Sequence, residues 1–333
     1  MADHILEVNN LQTSFFTFNG EVKAVRNISF TIKKGEMLGL VGESGSGKSV
    51  TAMSVLRLLQ DPGIIVGGEI LFNGENLANK SAADMRYIRN SQIAMVFQDP
   101  MTSLNPTLKV GTQITERIRA FQKGISKHEA RKIAVKLLEM VKISESQKRL
   151  DTYPFELSGG MRQRVMFAIA IACNPQLLIA DEPTTALDVT IQNQILKLIK
   201  DLRTEINMSV MLITHDLGVV AETCDRVIVM YGGMIMEEGT VDEIFYDSAH
   251  PYTIGLKKSI PKIETDEKKR LYSIGGSPPT LLKPPKGCIF VSRCTNAMNI
   301  CQEELPTYTY LSNTHRSMCW LLDKDCPNTF DRG

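Results

Sequence analysis

The sequence has almost no net charge and no apolar run long enough to cross a membrane. Its 38 Lys and Arg residues balance 37 Asp and Glu residues, which leaves a formal net charge of +1 in 333 residues. Such a balance offers no general attraction for nucleic acid, and we expect no nucleic-acid partner. The apolar runs, for example residues 176–180 and 210–213, have only the length of strands. The first residues also lack the basic and apolar segments of a secretory signal, so the sequence predicts a cytoplasmic protein.

The sequence has seven cysteines but no C-x-x-C pair. Cys173 and Cys224 each lie alone in an apolar segment and are expected to be buried like small hydrophobic residues. The other five cysteines all fall within the last 46 residues of the chain. Because disulfides do not persist in a reducing cytosol, this crowding indicates a metal site.

Four of the crowded cysteines supply enough thiolates for one metal centre: Cys288, Cys294, Cys301 and Cys319. Four thiolates ligate either a cubane [4Fe–4S] cluster or a tetrahedral zinc ion. Zinc sites usually use tight C-x-x-C pairs, so the wide spacings favour the bulkier cluster; zinc and cysteines without any metal stay open as alternatives. Cys326 is spare or replaces Cys319, and His315 is expected to make a local structural contact. A cluster here would staple a small extension with little core of its own.

Periodicity predicts an alternation of strands and helices with no internal repeat. Short apolar segments predict strands at residues 5–8, 15–18, 24–32, 37–41, 177–180 and 210–214. Amphipathic spacing predicts a helix over residues 129–141, within a mostly helical stretch from about 100 to 172. Residues 227–231 and 234–238, separated by two glycines, predict a hairpin, and residues 67–74 predict a hairpin edge.

A glycine-rich loop follows the predicted strand at residues 37–41, and helical spacing begins directly after it. The loop reads G-E-S-G-S-G-K-S, which matches the phosphate-binding pattern G-x-x-x-x-G-K-[ST] in its strand–loop–helix context. Glycines let backbone N–H groups approach a phosphate, the lysine supplies positive charge, and the last hydroxyl is available to Mg²⁺. The predicted nucleotide-binding residues are Gly42, Glu43, Ser44, Gly45, Ser46, Gly47, Lys48 and Ser49.

A second apolar strand, at residues 177–180, ends in two carboxylates, Asp181 and Glu182. The carboxyl ends of parallel strands meet at one sheet edge, which is where a phosphate loop also lies. Asp181 is therefore predicted to hold Mg²⁺, and Glu182 to polarise the water that attacks the γ-phosphate.

Together with further motifs, these segments resemble the ATP-binding cassette (ABC) ATPases over residues 4 to about 247. The motifs are the sequence L-S-G-G-M at 157–161, Gln98, the sequence A-L-D ending at Asp188, and His215. The resemblance implies an α/β fold: a P-loop ABC nucleotide-binding domain with a mixed core sheet, an antiparallel edge subdomain and a helical subdomain. It also implies ATP and Mg²⁺ as ligands.

The resemblance assigns roles to these residues. Gln98 would contact the metal and the water and sense a transmembrane partner, and His215 would reach the γ-phosphate. Asp188 would belong to the D-loop. Phe15 would stack on adenine, although Phe16 and Phe18 compete for this role. Across a head-to-tail dimer, the partner's nucleotide would be capped by Ser158, Gly159 and Gly160.

Three segments narrow the resemblance to the ATPases of dipeptide, oligopeptide and nickel importers: residues 98–106, 250–253 and the tail from 284 onwards. This implies an ATP-binding core at residues 1–98 and 173–247, a helical subdomain at 99–172, and a cysteine-containing C-terminal extension at 248–333. It implies a second related ATPase in a heterodimer, two permeases and an external peptide-binding protein, with the chain peripheral on the inner face of the cell membrane. A nickel importer and a soluble ABC ATPase regulated by a redox- or metal-binding tail are the alternatives.

Overall fold

The computed structural model describes residues 3–97, 103–185, 187–260 and 272–326. The strands are β1 His4–Thr17, β2 Gly20–Lys33, β3 Met37–Val41, β4 Gly63–Phe72, β5 Glu75–Asn76, β6 Ile93–Val96, β7 Leu177–Asp181, β8 Ser209–Thr214, β9 Arg226–Tyr231, β10 Met234–Thr240, β11 Thr309–Tyr310 and β12 Arg316–Ser317. The helices are α1 Lys48–Leu56, α2 Ala82–Ser91, α3 Val110–Phe121, α4 Lys127–Met140, α5 Ser146–Arg149, α6 Gly159–Ile171, α7 Val189–Ile206, α8 Leu217–Thr223, α9 Val241–Tyr246, α10 Pro251–Lys258 and α11 Ile300–Glu303.

The described residues form two compact units. The first takes its residues from Met1–Leu6, Ile32–Glu36 and Phe72–Ile213, and the second from Glu7–Thr31, Met37–Leu71 and Thr214–Gly333. Within the described ranges, no helix combines the length and the hydropathy needed to span a bilayer.

The first unit contains three parallel strands, with β7 between β6 and β8. Ile93 of β6 lies opposite Leu177, and Ala180 of β7 lies opposite Leu212 of β8. Every residue of β7 and β8 is buried, as expected for parallel strands covered on both faces. Helices α3, α4 and α6 pack against one another in the same unit. The strand β7 therefore brings its carboxyl end, at Asp181, to a defined edge of a rigid sheet.

The second unit is built around β9, which pairs with β3 in parallel and with β10 in antiparallel orientation. Val41 at the end of β3 lies opposite Val229 of β9. Strand β12 continues this arrangement by pairing with β10, and β11 pairs with β12. The last two strands come from the C-terminal tail, so the tail extends the sheet.

The tail shares the core of the second unit. Cys288, Ile289 and Phe290 of the tail belong to the same buried cluster as Val229 and Tyr231 of β9. The apolar residues of the extension therefore pack against the cassette strands. That the extension has little core of its own stays a prediction.

A buried polar contact also ties the tail to the cassette. The Glu237 carboxylate accepts hydrogen bonds from the backbone N–H groups of Ala249 and His250, at 2.6 and 3.0 Å, and lies 2.8 Å from Nε2 of His315. Glu237 is 0% and His315 1% exposed. His315 also makes the expected local contact, because its N–H donates to the Ser312 hydroxyl at 2.9 Å. Its ring adds a partner on β10, and a carboxylate as deeply buried as that of Glu237 requires such partners.

Most of the predicted elements are confirmed, with shifted ends. The predicted helix at 129–141 is α4, and the predicted hairpin around two glycines is β9 and β10. Residues 5–8 and 15–18 belong to one continuous strand, β1, in which Asn10 takes a positive φ of 51°. That residue breaks the simple alternation by which a strand is recognised. Cys173 is buried as expected, whereas Cys224 is only half-buried.

Candidate functional site

The phosphate loop, residues 42–47, connects the end of β3 to the start of α1. Gly45 and Gly47 have φ values of +77° and +102°, which residues with a side chain rarely adopt. A Cβ at Gly42 would come within 2.1 Å of the Met230 carbonyl oxygen, and one at Gly47 within 2.6 Å of the Ala24 carbonyl oxygen. Glycine is therefore required both for the turn and for its close packing on neighbouring strands.

Lys48 closes this loop from inside. Its Nζ donates to the carbonyl oxygens of Gly42 and Glu43, at 2.8 and 3.0 Å, and the residue is 5% exposed. The hydroxyl of Ser46 is buried and finds no hydrogen-bond partner among the described residues. A buried hydroxyl without a partner costs free energy, and a phosphate oxygen would satisfy it.

The two carboxylates after β7 lie in the first unit. Asp181 is 5% exposed at the end of the strand. Glu182 takes a φ of +45°, a strained value for a residue with a side chain, and its N–H donates to the Ile213 carbonyl oxygen at 2.9 Å. Its Oε2 accepts from the Thr185 hydroxyl at 3.0 Å. Strain that is held in place by such contacts is typical of functional positions.

The L-S-G-G-M motif begins helix α6 in the first unit. Ser158 is the exposed N-cap, and its hydroxyl accepts from the N–H of Met161 at 3.3 Å. A Cβ at Gly160 would come within 2.9 Å of Ile191, whereas a Cβ at Gly159 would meet Leu187 only at an ordinary 3.7 Å. Gly160 is therefore needed for packing, and Gly159 has no such structural reason.

Asp188, the predicted D-loop residue, caps the neighbouring helix α7. Its carboxylate accepts from the N–H of Ile191 at 2.9 Å. Because Gly160 also packs on Ile191, the starts of α6 and α7 are held together. This places the predicted signature and D-loop residues side by side in one unit.

His215 and the candidate aromatic residues lie in the second unit. His215 is exposed directly after β8, and the following Asp216 caps α8 through the N–H of Gly218 at 2.8 Å. The Phe15 ring packs on Gly63, where an added Cβ would meet it at 2.6 Å. Phe16 is 50% exposed and Phe18 is fully exposed. Gln98 and Ala186 lie outside the described residues.

The four predicted cysteine ligands line one small pocket in the second unit. Burial raises the pKa of the Cys288 thiol to about 11 and that of the Cys319 thiol to about 12, and it also raises the pKa of Cys294. Cys326 lies outside this pocket, and its Sγ is 3.8 Å from the Met298 sulfur. In the described part of the chain, no group of three or more His, Cys, Asp or Glu side chains is arranged to hold a single metal ion.

His250 lines the same pocket and was not predicted there. Its Nδ1 accepts from the N–H of Tyr252 at 3.0 Å, so the neutral ring carries its proton on Nε2. That Nε2 is buried and has no hydrogen-bond partner among the described residues. Burial also lowers the pKa of His250 to about 4, which keeps the ring neutral.

Sequence reasoning also missed two residues that contact the phosphate loop, Tyr252 and Arg293. Nothing in the sequence around Tyr252 indicates a contact with the phosphate loop, although the residue belongs to the H-P-Y sequence at 250–252. Arg293 precedes Cys294 in an apolar segment flanked by cysteines. A charged residue in such a segment is usually paired when it is buried, and this was the only sign in the sequence that Arg293 has an ion-pair partner.

Family comparisons match both parts of the chain. Residues 25–185 match the family described as "ABC transporter", and residues 236–301 match "Oligopeptide/dipeptide transporter, C-terminal region". The chain is 55% identical over 324 residues to the oligopeptide transport ATP-binding protein OppD of Bacillus subtilis, covering 97% of this chain and 90% of that protein. It is 50% identical to the dipeptide transport ATP-binding protein DppD of Lactococcus lactis, covering 98% and 93%.

Among solved structures, the chain resembles an ATP-binding cassette determined as a dimer in a post-hydrolysis state with ADP and Pi. The TM-score is 0.64 at 29% identity, over 71% of this chain and 98% of the cassette. The P-loop fold with mixed sheets and helices, predicted from sequence, is confirmed.

Proposed function

The chain belongs to the ABC transporter ATPases of the oligopeptide and dipeptide group, and we propose that it hydrolyses ATP to drive uptake of di- and oligopeptides. The observation that carries this proposal is the combination of an intact phosphate loop with a C-terminal region of the peptide-transporter type in one chain. Relatives named for oligopeptide and dipeptide transport align over nearly the whole length.

Residues 42–49 bind the phosphates of ATP in this proposal. The backbone N–H groups of the loop and the Lys48 ammonium attract the polyanion, and the buried Ser46 hydroxyl gains a partner. Phe15 stacks on adenine. His215 contacts the γ-phosphate.

Mg²⁺ would be held by Ser49, Asp181 and Gln98, whose oxygen atoms are the hard donors this ion prefers. When bound, the ion neutralises charge on the phosphates. Glu182 orients and polarises the attacking water, and the Thr185 hydroxyl fixes the carboxylate that does so. Catalysis then consists mainly of positioning and charge stabilisation.

Two cassettes complete each site in this proposal. Ser158 is exposed at the start of α6, and among the described residues a Cβ at Gly159 would meet nothing closer than an ordinary contact. Both would cap the γ-phosphate bound in the phosphate loop of a second, related ATPase, in a head-to-tail heterodimer. The solved cassette that this chain resembles is described as dimeric, which supports the arrangement.

Two permeases and an external peptide-binding protein are the remaining proposed partners. The relatives are named as the ATP-binding proteins of oligopeptide and dipeptide transport, which supports separate partners for binding the peptide and passing it through the membrane. The ATPase then lies on the inner face of the membrane, attached through the permeases. The core, helical and C-terminal segments bounded at residues 98, 172 and 247 remain the proposed division of the chain.

The pocket cysteines provide a further part of the proposal, a [4Fe–4S] cluster held by Cys288, Cys294, Cys301 and Cys319. Their convergence on one pocket supports it, as does the buried Nε2 of His250, which lacks a partner among the described residues and is able to donate to a cluster sulfur. Zinc is the alternative, and the described residues offer no group arranged around a single ion. A cluster would cross-link tail segments.

Anaerobic purification with assays for iron, sulfide and zinc tests this centre. We expect about four irons and four sulfides per chain. Cys301→Ser should lose them, whereas the matched variant Cys326→Ser, outside the pocket, should keep them. Iron-free protein from the anaerobic preparation, with or without zinc, would contradict the cluster.

Transport by the complex reconstituted with its permeases and binding protein tests the function itself. ATP-dependent accumulation of labelled di- and oligopeptides is expected, and Lys48→Ala should abolish it. Accumulation of nickel but not of peptide would instead assign the chain to a nickel importer. ATP hydrolysis that never couples to transport, and that follows the redox state of the tail, would point to a regulated ATPase.

A further inference from the structure

The first side chain of the phosphate loop, Glu43, is held from three directions. Its N–H donates to the Tyr252 hydroxyl at 3.0 Å, and its carbonyl oxygen accepts from Lys48 Nζ at 3.0 Å. Its Oε2 lies 2.7 Å from Nη1 of Arg293. Tyr252 and Arg293 both come from the C-terminal region, more than 200 positions along the chain.

We propose that Tyr252 and Arg293 are positioning residues for the phosphate loop, so that the C-terminal region sets the affinity of the chain for nucleotide. This inference rests on the proposed binding of ATP to the loop. It does not depend on whether the cysteines hold a cluster.

The Arg293 guanidinium is also held by groups other than Glu43. Its Nε and Nη2 donate to the carbonyl oxygens of Gly275 and Ile274, at 2.8 and 3.1 Å. Its Nη1 also donates to the Tyr231 hydroxyl at 3.2 Å. Every nitrogen of the guanidinium therefore has a partner, which a lysine at this position could not reproduce.

The burial of the Arg293–Glu43 ion pair and the pKa of its guanidinium indicate that both side chains are charged and held in place. The Arg293 side chain is 5% exposed and that of Glu43 26%. Burial alone would lower the pKa of the Arg293 guanidinium, but the hydrogen bonds to Glu43 and Tyr231 raise it above its ordinary value. The guanidinium also neutralises a carboxylate at the very loop that must accept a polyanion.

Tyr252 is fixed by aromatic packing. Its ring centroid lies 4.7 Å from that of Tyr231 and 5.3 Å from that of Phe290. The residue is fully buried, so its hydroxyl has little freedom to leave the N–H of Glu43. Tyr252 therefore acts on the loop backbone, and Arg293 on its side chain.

A loop that is ordered before binding gives up less conformational entropy when nucleotide arrives. Removing the Arg293 guanidinium leaves the loop mobile and leaves the Glu43 carboxylate uncompensated near the phosphates. Both effects weaken binding. Neither changes the chemical step once ATP is bound, so KM should rise while kcat at saturating ATP is maintained.

Titration of a fluorescent ATP analogue into the purified full-length chain measures this effect. Arg293→Met should raise the dissociation constant about tenfold. Arg293→Lys should raise the dissociation constant less than Arg293→Met does. Tyr252→Phe, which keeps the ring packing, should raise the constant about threefold. Glu43→Gln combined with Arg293→Met should be no weaker than Arg293→Met alone, because both changes break one contact.

Arg316→Met is the matched control. Arg316 forms another largely buried ion pair, with Glu238 at 2.5 Å, and none of its contacts among the described residues reaches the loop. It should lower the melting temperature and leave the dissociation constant within about twofold of wild type. Unchanged affinity in Arg293→Met, or an equal loss in Arg316→Met, would overturn the inference.

Lys48→Ala separates this inference from the proposed site. If Lys48→Ala loses ATP binding and Arg293→Met does not, the loop binds ATP but the C-terminal region does not position it. If Lys48→Ala binds ATP as wild type does, the placement of ATP in the loop is wrong, and the inference is overturned with it.

Discussion

The two glycine-rich motifs of this chain differ in how far their own surroundings complete them. The phosphate loop is enclosed: Lys48 and Ser46 are buried, and Glu43 is held by Tyr252 and Arg293. The signature motif is open, and within the described part of the chain the Ser158 hydroxyl contacts only the start of its own helix.

This difference indicates which part of a nucleotide site each motif provides. An enclosed loop with buried donors is ready to receive a polyanion by itself. An exposed helix start with a serine and a sterically unrestrained glycine is suited to a surface that meets another molecule. The difference supports the proposal that the chain carries one complete binding loop and one cap for a partner.

Glu182→Gln gives the largest expected effect, because it leaves the binding loop intact while removing the proposed base. Hydrolysis should fall by about 10²–10⁴-fold, the usual contribution of a general base. The dissociation constant for ATP should stay near that of wild type. Phosphate release by the complex assembled with the second ATPase measures hydrolysis, and nucleotide titration measures binding.

The control for that change is Glu205→Gln, which alters an exposed carboxylate on α7. It should leave hydrolysis and binding unchanged. Turnover that survives in Glu182→Gln would show that another group activates the water.

Substitution of the two signature glycines separates capping from packing. Gly159→Ala should keep thermal stability, since its Cβ meets Leu187 at an ordinary 3.7 Å, yet reduce hydrolysis in the assembled complex at least tenfold. Gly160→Ala should lower the free energy of unfolding by about 1–3 kcal/mol, because its Cβ would press on Ile191. Thermal melts and ATPase rates of both variants measure this; equal destabilisation would remove the distinction.

The smallest expected effect is on thermal stability, from changing Glu243, which binds the C-terminal tail through Ser312 and Thr314. Burial alone would raise the pKa of Glu243, but hydrogen bonds from Ser312, Thr240 and Thr314 lower it to about 2. Since the folded pKa lies below the unfolded value of about 4.3, this carboxylate stabilises the fold above that pH, and the contribution is lost between about pH 4.3 and 2.

Glu243→Gln should therefore lower the melting temperature at pH 7 by about 2 °C or less per kcal/mol lost, because the shift shrinks as chain length grows. The gap to wild type should narrow as the pH falls below about 4. Melting curves from pH 7 to 3 measure it, and a gap that does not depend on pH would show that the lost contacts are not ionic.

The nucleotide motifs could be predicted from sequence because each is local. The apolar strand, the glycine turn and the following helix lie within about twenty consecutive residues. β3 has the predicted bounds, and α1 begins directly at the end of the loop, as predicted. The same is true of the strand that ends at Asp181. The roles of the site residues, including Gln98 outside the described range, remain predictions.

The supports of the loop could not be predicted in the same way. Arg293 meets Glu43 across 250 positions, and His315 meets Glu237 across 78. No periodicity encodes such pairs, because they arise only when the tail packs on β9 and β10. The convergence of the four cysteines could be anticipated from their crowding, whereas the orphaned Nε2 of His250 beside them could not.

The rate of ATP hydrolysis per chain, measured against chain concentration with and without a second related ATPase, tests the central claim most directly. If the loop and the signature are halves of different sites, the dilute isolated chain should be nearly inactive, and the rate should rise as the second cassette is added. A full rate from the dilute chain, independent of concentration and of the second cassette, would contradict the account.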